Sequence, residues 1–62
     1  MRKDFDEPVD IKIYFIECNF KIVRNVIQIK TGSYIRVKYI AKDEKPHHHY
    51  YSKKDVRLID KA

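Results

Sequence analysis

Three adjacent histidines, His47, His48 and His49, run directly into Tyr50 and Tyr51 within the stretch KPHHHYYSKKD. Imidazoles can ligate a metal, titrate near neutral pH or stack against aromatic rings. In extended backbone His47 and His49 share a face and His48 points the other way. Two imidazoles at that spacing can chelate one ion, and a carboxylate such as Asp43 or Glu44 brings the face to three ligands. A structural zinc site takes four ligands, and Cys18 is the only thiol in the chain. No metal site and no cofactor are therefore assigned. Lys45, Lys53 and Lys54 lie close by in sequence, and neighbouring cations disfavour the charged imidazole. The triplet is expected to be mostly neutral at cytoplasmic pH and to form the polar end of a strand.

Nucleophilic chemistry finds no constellation. Ser33 falls in an expected turn and Ser52 in an expected helix cap, outside any nucleophile-elbow pattern. Cys18 needs nearby cations to become a thiolate, and otherwise reads as a small half-buried side chain. A single glycine, Gly32, excludes a glycine-rich phosphate loop. No catalytic residue is assigned, and a non-enzymatic protein without a small-molecule substrate is expected.

Charge gives a more specific lead. The net charge is +5, and no acid occurs between Glu17 and Asp43. That window holds Lys21, Arg24, Lys30, Arg36, Lys38 and Lys42. A basic field of this kind favours polyanionic partners. Around Gly32 the outward positions of a hairpin are Gln28, Lys30, Tyr34, Arg36 and Lys38. An aromatic ring among cations on one sheet face can stack on a base while the cations neutralise phosphates. The expected nucleic-acid site is Lys30, Tyr34, Arg36 and Lys38, with Lys21 and Arg24 as secondary phosphate contacts. Tyr50 or Tyr51, with His48, extends it. The alternative is a protein-interaction module using edge strands and the apolar residues Ile16 and Ile40 on otherwise polar faces.

The elements that must position these residues follow from period-two patterning. With 62 residues the chain is one domain with a thin core. Residues 1–8 are charged, end at Pro8, and are expected to form a mobile arm; residues 9–62 form the domain. VDIKIYF alternates Val9, Ile11, Ile13 and Phe15 with polar residues, the mark of a half-buried strand. In FKIVRNVIQIK the apolar registers of Phe20/Ile22 and Ile27/Ile29 disagree, which predicts a bulge near Arg24–Asn25. The turn at Gly32 separates this strand from SYIRVKYIA. KDEKP is a loop, HHHYY a short strand, Ser52–Asp55 a 3₁₀ turn with a capping-box pattern, and VRLI a last strand. The expected core is Val9, Ile11, Ile13, Phe15, Ile22, Ile27, Ile29, Ile35, Val37, Tyr39, Val56 and Leu58. The class is all-β, about five short antiparallel strands that close into a small barrel to bury both faces.

The stretch YYSKKDVRLID, over the last third of the chain, resembles the end of SH3-type domains. There a strand runs through a one-turn 3₁₀ helix into a closing strand that begins with Val, here Val56. The resemblance implies an SH3-like barrel. The acidic-aromatic loop and paired tryptophans that serve proline-rich peptides in such domains are absent, which argues against that ligand. Small archaeal chromatin proteins are similar in barrel size and charge. The chain also resembles, in size and style, short basic β-proteins of bacteriophages, which implies binding or inhibition of a host factor under the alternative reading. One Cys, no apolar run of about 20 residues and a charged start, MRKDFDEPVD, with no apolar signal-peptide core point to a cytoplasmic protein without a membrane partner.

Overall fold

The structure, a computed structural model, describes all 62 residues. It is built from β1 (Arg2–Phe15), β2 (Phe20–Thr31), β3 (Tyr34–Ile40), β4 (Pro46–Ser52), a 3₁₀ turn η1 (Lys53–Asp55) and β5 (Val56–Lys61). The class is all-β, five antiparallel strands with one 3₁₀ turn and no α-helix. They form one sheet in the order β4-β3-β2-β1-β5. β4 and β5 are its two edges and do not pair, so the hydrogen-bonded closure expected of a barrel is missing.

The sheet nevertheless folds over on itself. In a flat sheet β1 and β4, three strands apart, would be separated by about 14 Å. The rings of Phe15 on β1 and Tyr51 on β4 are 5.7 Å apart. Bulges in β2 and β1 permit the bend. Arg24 and Asn25 together face Asp10, between the pairs Val9↔Val26 and Ile11↔Val23. Asn25 takes φ 58°, and its N–H donates to the Asp10 carboxylate at 3.2 Å. Asn tolerates this left-handed conformation better than most residues. Ile27 is a second extra residue, opposite no partner on β3. Bulges add bend and twist to a strand, and here they let the two halves of β2 serve two layers.

The core between those layers is Ile11, Ile13, Val23, Val26, Ile35 and Val37, with Phe5, Val9, Phe15, Ile29, Tyr39, Tyr51, Val56 and Ile59 packed around it. This corrects the expected set at the bulge and on β5. Val23 and Val26 are buried where Ile22 was expected, Ile22 and Leu58 are exposed, and Ile59 faces inward instead of Leu58. Ile27, the bulge residue, is half-buried and outside the core cluster.

The first eight residues are also not a loose arm. Arg2, Lys3 and Asp4 pair with Lys30, Ile29 and Gln28, and the Met1 ammonium donates to the Thr31 carbonyl at 2.9 Å. Residues Phe5–Pro8 bulge out, four against the single residue Ile27. Pro8 fits there because a bulged residue owes no ladder hydrogen bond. Ser52 sits at the N-terminus of η1 but makes no side-chain capping bond.

Gly32 and Ser33 join β2 to β3, with the Gly32 N–H donating to the Tyr34 carbonyl at 3.0 Å. The backbone of Gly32 does not use positive φ, and a Cβ there would meet nothing within 4 Å. Gly32→Ala is therefore expected to stabilise the fold by about 0.4–1 kcal/mol through the unfolded chain. Urea midpoints of the two proteins check this, and a lower midpoint in the variant would contradict the turn geometry.

Candidate functional site

Alternation along a strand sends every second side chain outward, and antiparallel pairing lines those side chains up across strands. On the hairpin half of the sheet this produces two outward rows. The first is Arg2–Lys30–Arg36–Tyr50, across β1, β2, β3 and β4. The second is Asp4–Gln28–Lys38–His48, on the same strands two residues along. Tyr34 lies beside the first row, across from Ser52. Val37, Ile29 and Ile35 alternate with these residues and face the core. The surface therefore carries four cations, two tyrosines and a histidine against one carboxylate.

That carboxylate is already engaged. Gln28 Nε2 donates to Asp4 Oδ1 at 2.7 Å, and Arg2 Nε donates to Asp4 Oδ2 at 3.0 Å. Arg36 Nη2 in turn donates to Gln28 Oε1 at 3.1 Å. The chain Arg2–Asp4–Gln28–Arg36 ties three strands together and sets the direction of the Arg36 guanidinium. The bond from Gln28, then that from Arg2, holds the Asp4 carboxyl below its ordinary value. Lys30 and Lys38 make no ion pair, so their charge is available to a ligand.

The structure thus brings Lys30, Tyr34, Arg36 and Lys38 onto one surface, as the hairpin pattern implied, and adds Tyr50 and His48 from β4. Their rings lie 6.3 Å apart. Arg2 and Asp4, from β1, complete the surface. Sequence patterning left Arg2 and Asp4 in the arm, because the bulge at Phe5–Pro8 hides their alternation. Lys21 and Arg24, the expected secondary phosphate contacts, lie off this face. Lys21 pairs with the buried Ile13, so it points to the inner side, with Nζ 6.0 Å from the Tyr51 ring. Arg24 sits at the β2 bulge, 3.8 Å from Asp10.

Compared with protein-family models, curated proteins and solved structures, the chain matches none.

The inner side of β4 carries a ladder of rings. His47 and His49 flank Tyr39, with centroids 5.8 Å and 4.6 Å from it, and His49 continues to Tyr51 at 6.2 Å. His47 Nε2 reaches both Asp43 oxygens at 3.0–3.1 Å, which fastens the β3–β4 loop. No three metal-ligating side chains converge anywhere in the molecule. Burial, then Lys21 and His47, holds His49 below its ordinary value of 6.5. The unfolded chain therefore binds this proton more readily than the folded one. Stability must fall as pH drops below about 6.5 and level off once the lowered folded value is passed. Urea midpoints between pH 7.5 and 5.5 are expected to show this step, and His49→Gln to remove it. A midpoint that rises on acidification would contradict the packing at His49.

The other half of the sheet shows a different outer surface. Tyr14 on β1 is flanked by Phe20 on β2 and Leu58 on β5, with Lys12 beside Ile22 in the next row. Phe20, Ile22 and Leu58 are exposed, and Lys12 Nζ lies 4.1 Å from the Phe20 ring centroid. The core lies between the two halves, so this surface and the cationic one face away from each other. Of the two apolar residues expected to form a contact patch, Ile16 is exposed at the β1–β2 turn and Ile40 is half-buried. They do not join this surface: Ile16 lines a cleft of about 340 Å³ with Phe15, Tyr50 and Asp55.

Proposed function

We propose that this protein is a small, non-enzymatic module that binds nucleic acid through the outer face of the hairpin around Gly32. The observation that carries the reading is the pair of cross-strand rows, in which Arg2, Lys30, Arg36 and Lys38 lie beside Tyr34, Tyr50 and His48. The row Arg2–Lys30–Arg36–Tyr50 spans about 14 Å, and its cations have no carboxylate among them apart from the engaged Asp4. Such a surface neutralises a string of phosphates and releases their counterions. The strand order, with η1 joining the two edge strands, supports an opened relative of the SH3-type architecture. The exposed, lone Cys18 fits a reducing compartment such as the cytoplasm.

The test is a fluorescence titration of labelled DNA and RNA at two salt concentrations. With four phosphate contacts, affinity should fall about a hundredfold between about 50 and 200 mM salt. Absence of binding at low salt would remove nucleic acid as the partner.

A second reading has its own observation. Phe20, Ile22 and Leu58, exposed beside Tyr14 with Lys12 and Arg57 at its ring, suit an apolar protein surface bearing acidic residues. A protein partner held there would stay bound at high salt.

A further inference from the structure

Resting on the reading of the cationic face as a nucleic-acid surface, we infer that its ligand is a single strand, not a duplex. The bases stack on Tyr34 and Tyr50 while the phosphates lie along the cations beside them. Tyr34 and Tyr50 are 62% and 64% exposed, more than any other Tyr or Phe of the chain. Neither ring is held by the core, so each presents its surface to solvent. Tyr50 stands across from Arg36 and Tyr34 across from Ser52, so the two tyrosines are diagonal neighbours. Diagonal positions on an antiparallel pair are about 7–8 Å apart. That is about two of the 3.4 Å steps between stacked bases in one strand. The His48 ring, 6.3 Å from that of Tyr50, continues the line along the β3–β4 edge.

The cations lie on one side of that line. Arg36 and Lys38 are on β3, Lys30 on β2 and Arg2 on β1, progressively farther from β4. A strand laid along the β3–β4 edge can thus turn its bases to the rings and its backbone to the centre of the sheet. Every base has a π-face, so such a track is tolerant of sequence.

A duplex fits the same surface poorly. Its base faces are covered by their neighbours, so the tyrosines have nothing to stack on. Nor can this face enter a groove. The major groove is about 12 Å wide, whereas four strands side by side span about 14 Å between the outer axes alone. A duplex is left with phosphate contacts only.

The experiment compares a labelled oligothymidylate of about 12 nucleotides, a length within the usual site size of small single-strand binders, with the duplex it forms with oligoadenylate, both at low salt. The single strand is expected to bind about tenfold more tightly or better. Tyr34→Ala and Tyr50→Ala should each weaken single-strand binding about tenfold and leave duplex binding within about twofold. The salt slope should not change, and Tyr→Phe at either position should bind like the parent, since the ring is kept. Both side chains are exposed, so circular dichroism should show folded variants. A duplex bound as tightly as the single strand, or alanine variants with parental affinity, would overturn the inference. In either case the cationic rows would still bind nucleic acid. Failure of both polymers to bind would instead remove the underlying reading, and this inference with it.

Discussion

Ile13→Ala is expected to destabilise the protein by about 2–5 kcal/mol, enough to leave it partly or wholly unfolded at room temperature. Ile13 is 0% exposed and lies among Ile11, Val23, Val26, Ile35 and Val37. Only 6 of the 62 residues are buried, so no second core can carry the load. A domain of this length has a total stability of about 3–9 kcal/mol. Loss of three buried carbons, with the cavity left behind, removes a large part of that. Leu58→Ala is the informative contrast. Leu58 was expected in the core from its position in VRLI, but it is 52% exposed on the outer face. Its replacement should cost no more than about 0.5 kcal/mol, as at other surface positions. Thermal denaturation of the three proteins measures both effects. Equal losses in the two variants would mean that β5 presents the opposite face to the core.

Reversing two charges on the proposed binding face should have a comparably large effect on affinity. Each phosphate contact contributes about 0.7–0.9 to the slope of log affinity against log salt. At about 50 mM salt this corresponds to about a tenfold gain per contact relative to 1 M. Lys30→Glu with Lys38→Glu removes two contacts and adds repulsion, so affinity should drop a hundredfold or more and the slope should become shallower by about 1.4–1.8. The control is Lys21→Glu with Arg24→Glu, which changes the net charge by the same amount. Lys21 faces the inner side and Arg24 lies at the bulge, so this variant should lose far less. Equal losses in the two double variants would show that net charge, not the surface, governs binding.

The difference between these pairs of residues reflects what a sequence pattern can carry. Lys30, Tyr34, Arg36 and Lys38 lie on two strands joined by a two-residue turn, so alternation on either side of Gly32 was enough to place them together. Arg2 and Asp4 belong to the same surface through the β1–β2 pairing, in which Arg2 faces Lys30 and Asp4 faces Gln28. No local pattern reaches that far, and the four-residue bulge before Val9 conceals the strand. Lys21 and Arg24 look equivalent to Lys30 in composition. The bulge at Asn25 separates them from it, and the phase of the strand differs on its two sides.

The positions of β2 to β5 and of β1 from Val9 onward, the turn at Gly32, the 3₁₀ turn before Val56 and the kink at Arg24–Asn25 were determined by the sequence itself. Each depends on residues within a few positions of one another: β-branched alternation, a glycine, a proline, or a change of register. The tertiary structure alone decided which of two apolar neighbours enters the core. Ile22 and Val23 compete on β2, Leu58 and Ile59 on β5. Both members of each pair are apolar, so period two is satisfied either way, and a shift of one residue exchanges the faces. The choice is made by cross-strand partners, Ile11 for Val23 and Ile13 for Ile59, which are distant in sequence. The openness of the sheet was decided in the same way. The bend at the β2 bulges brings Tyr51 over Phe15, and the edges β4 and β5 are left unpaired.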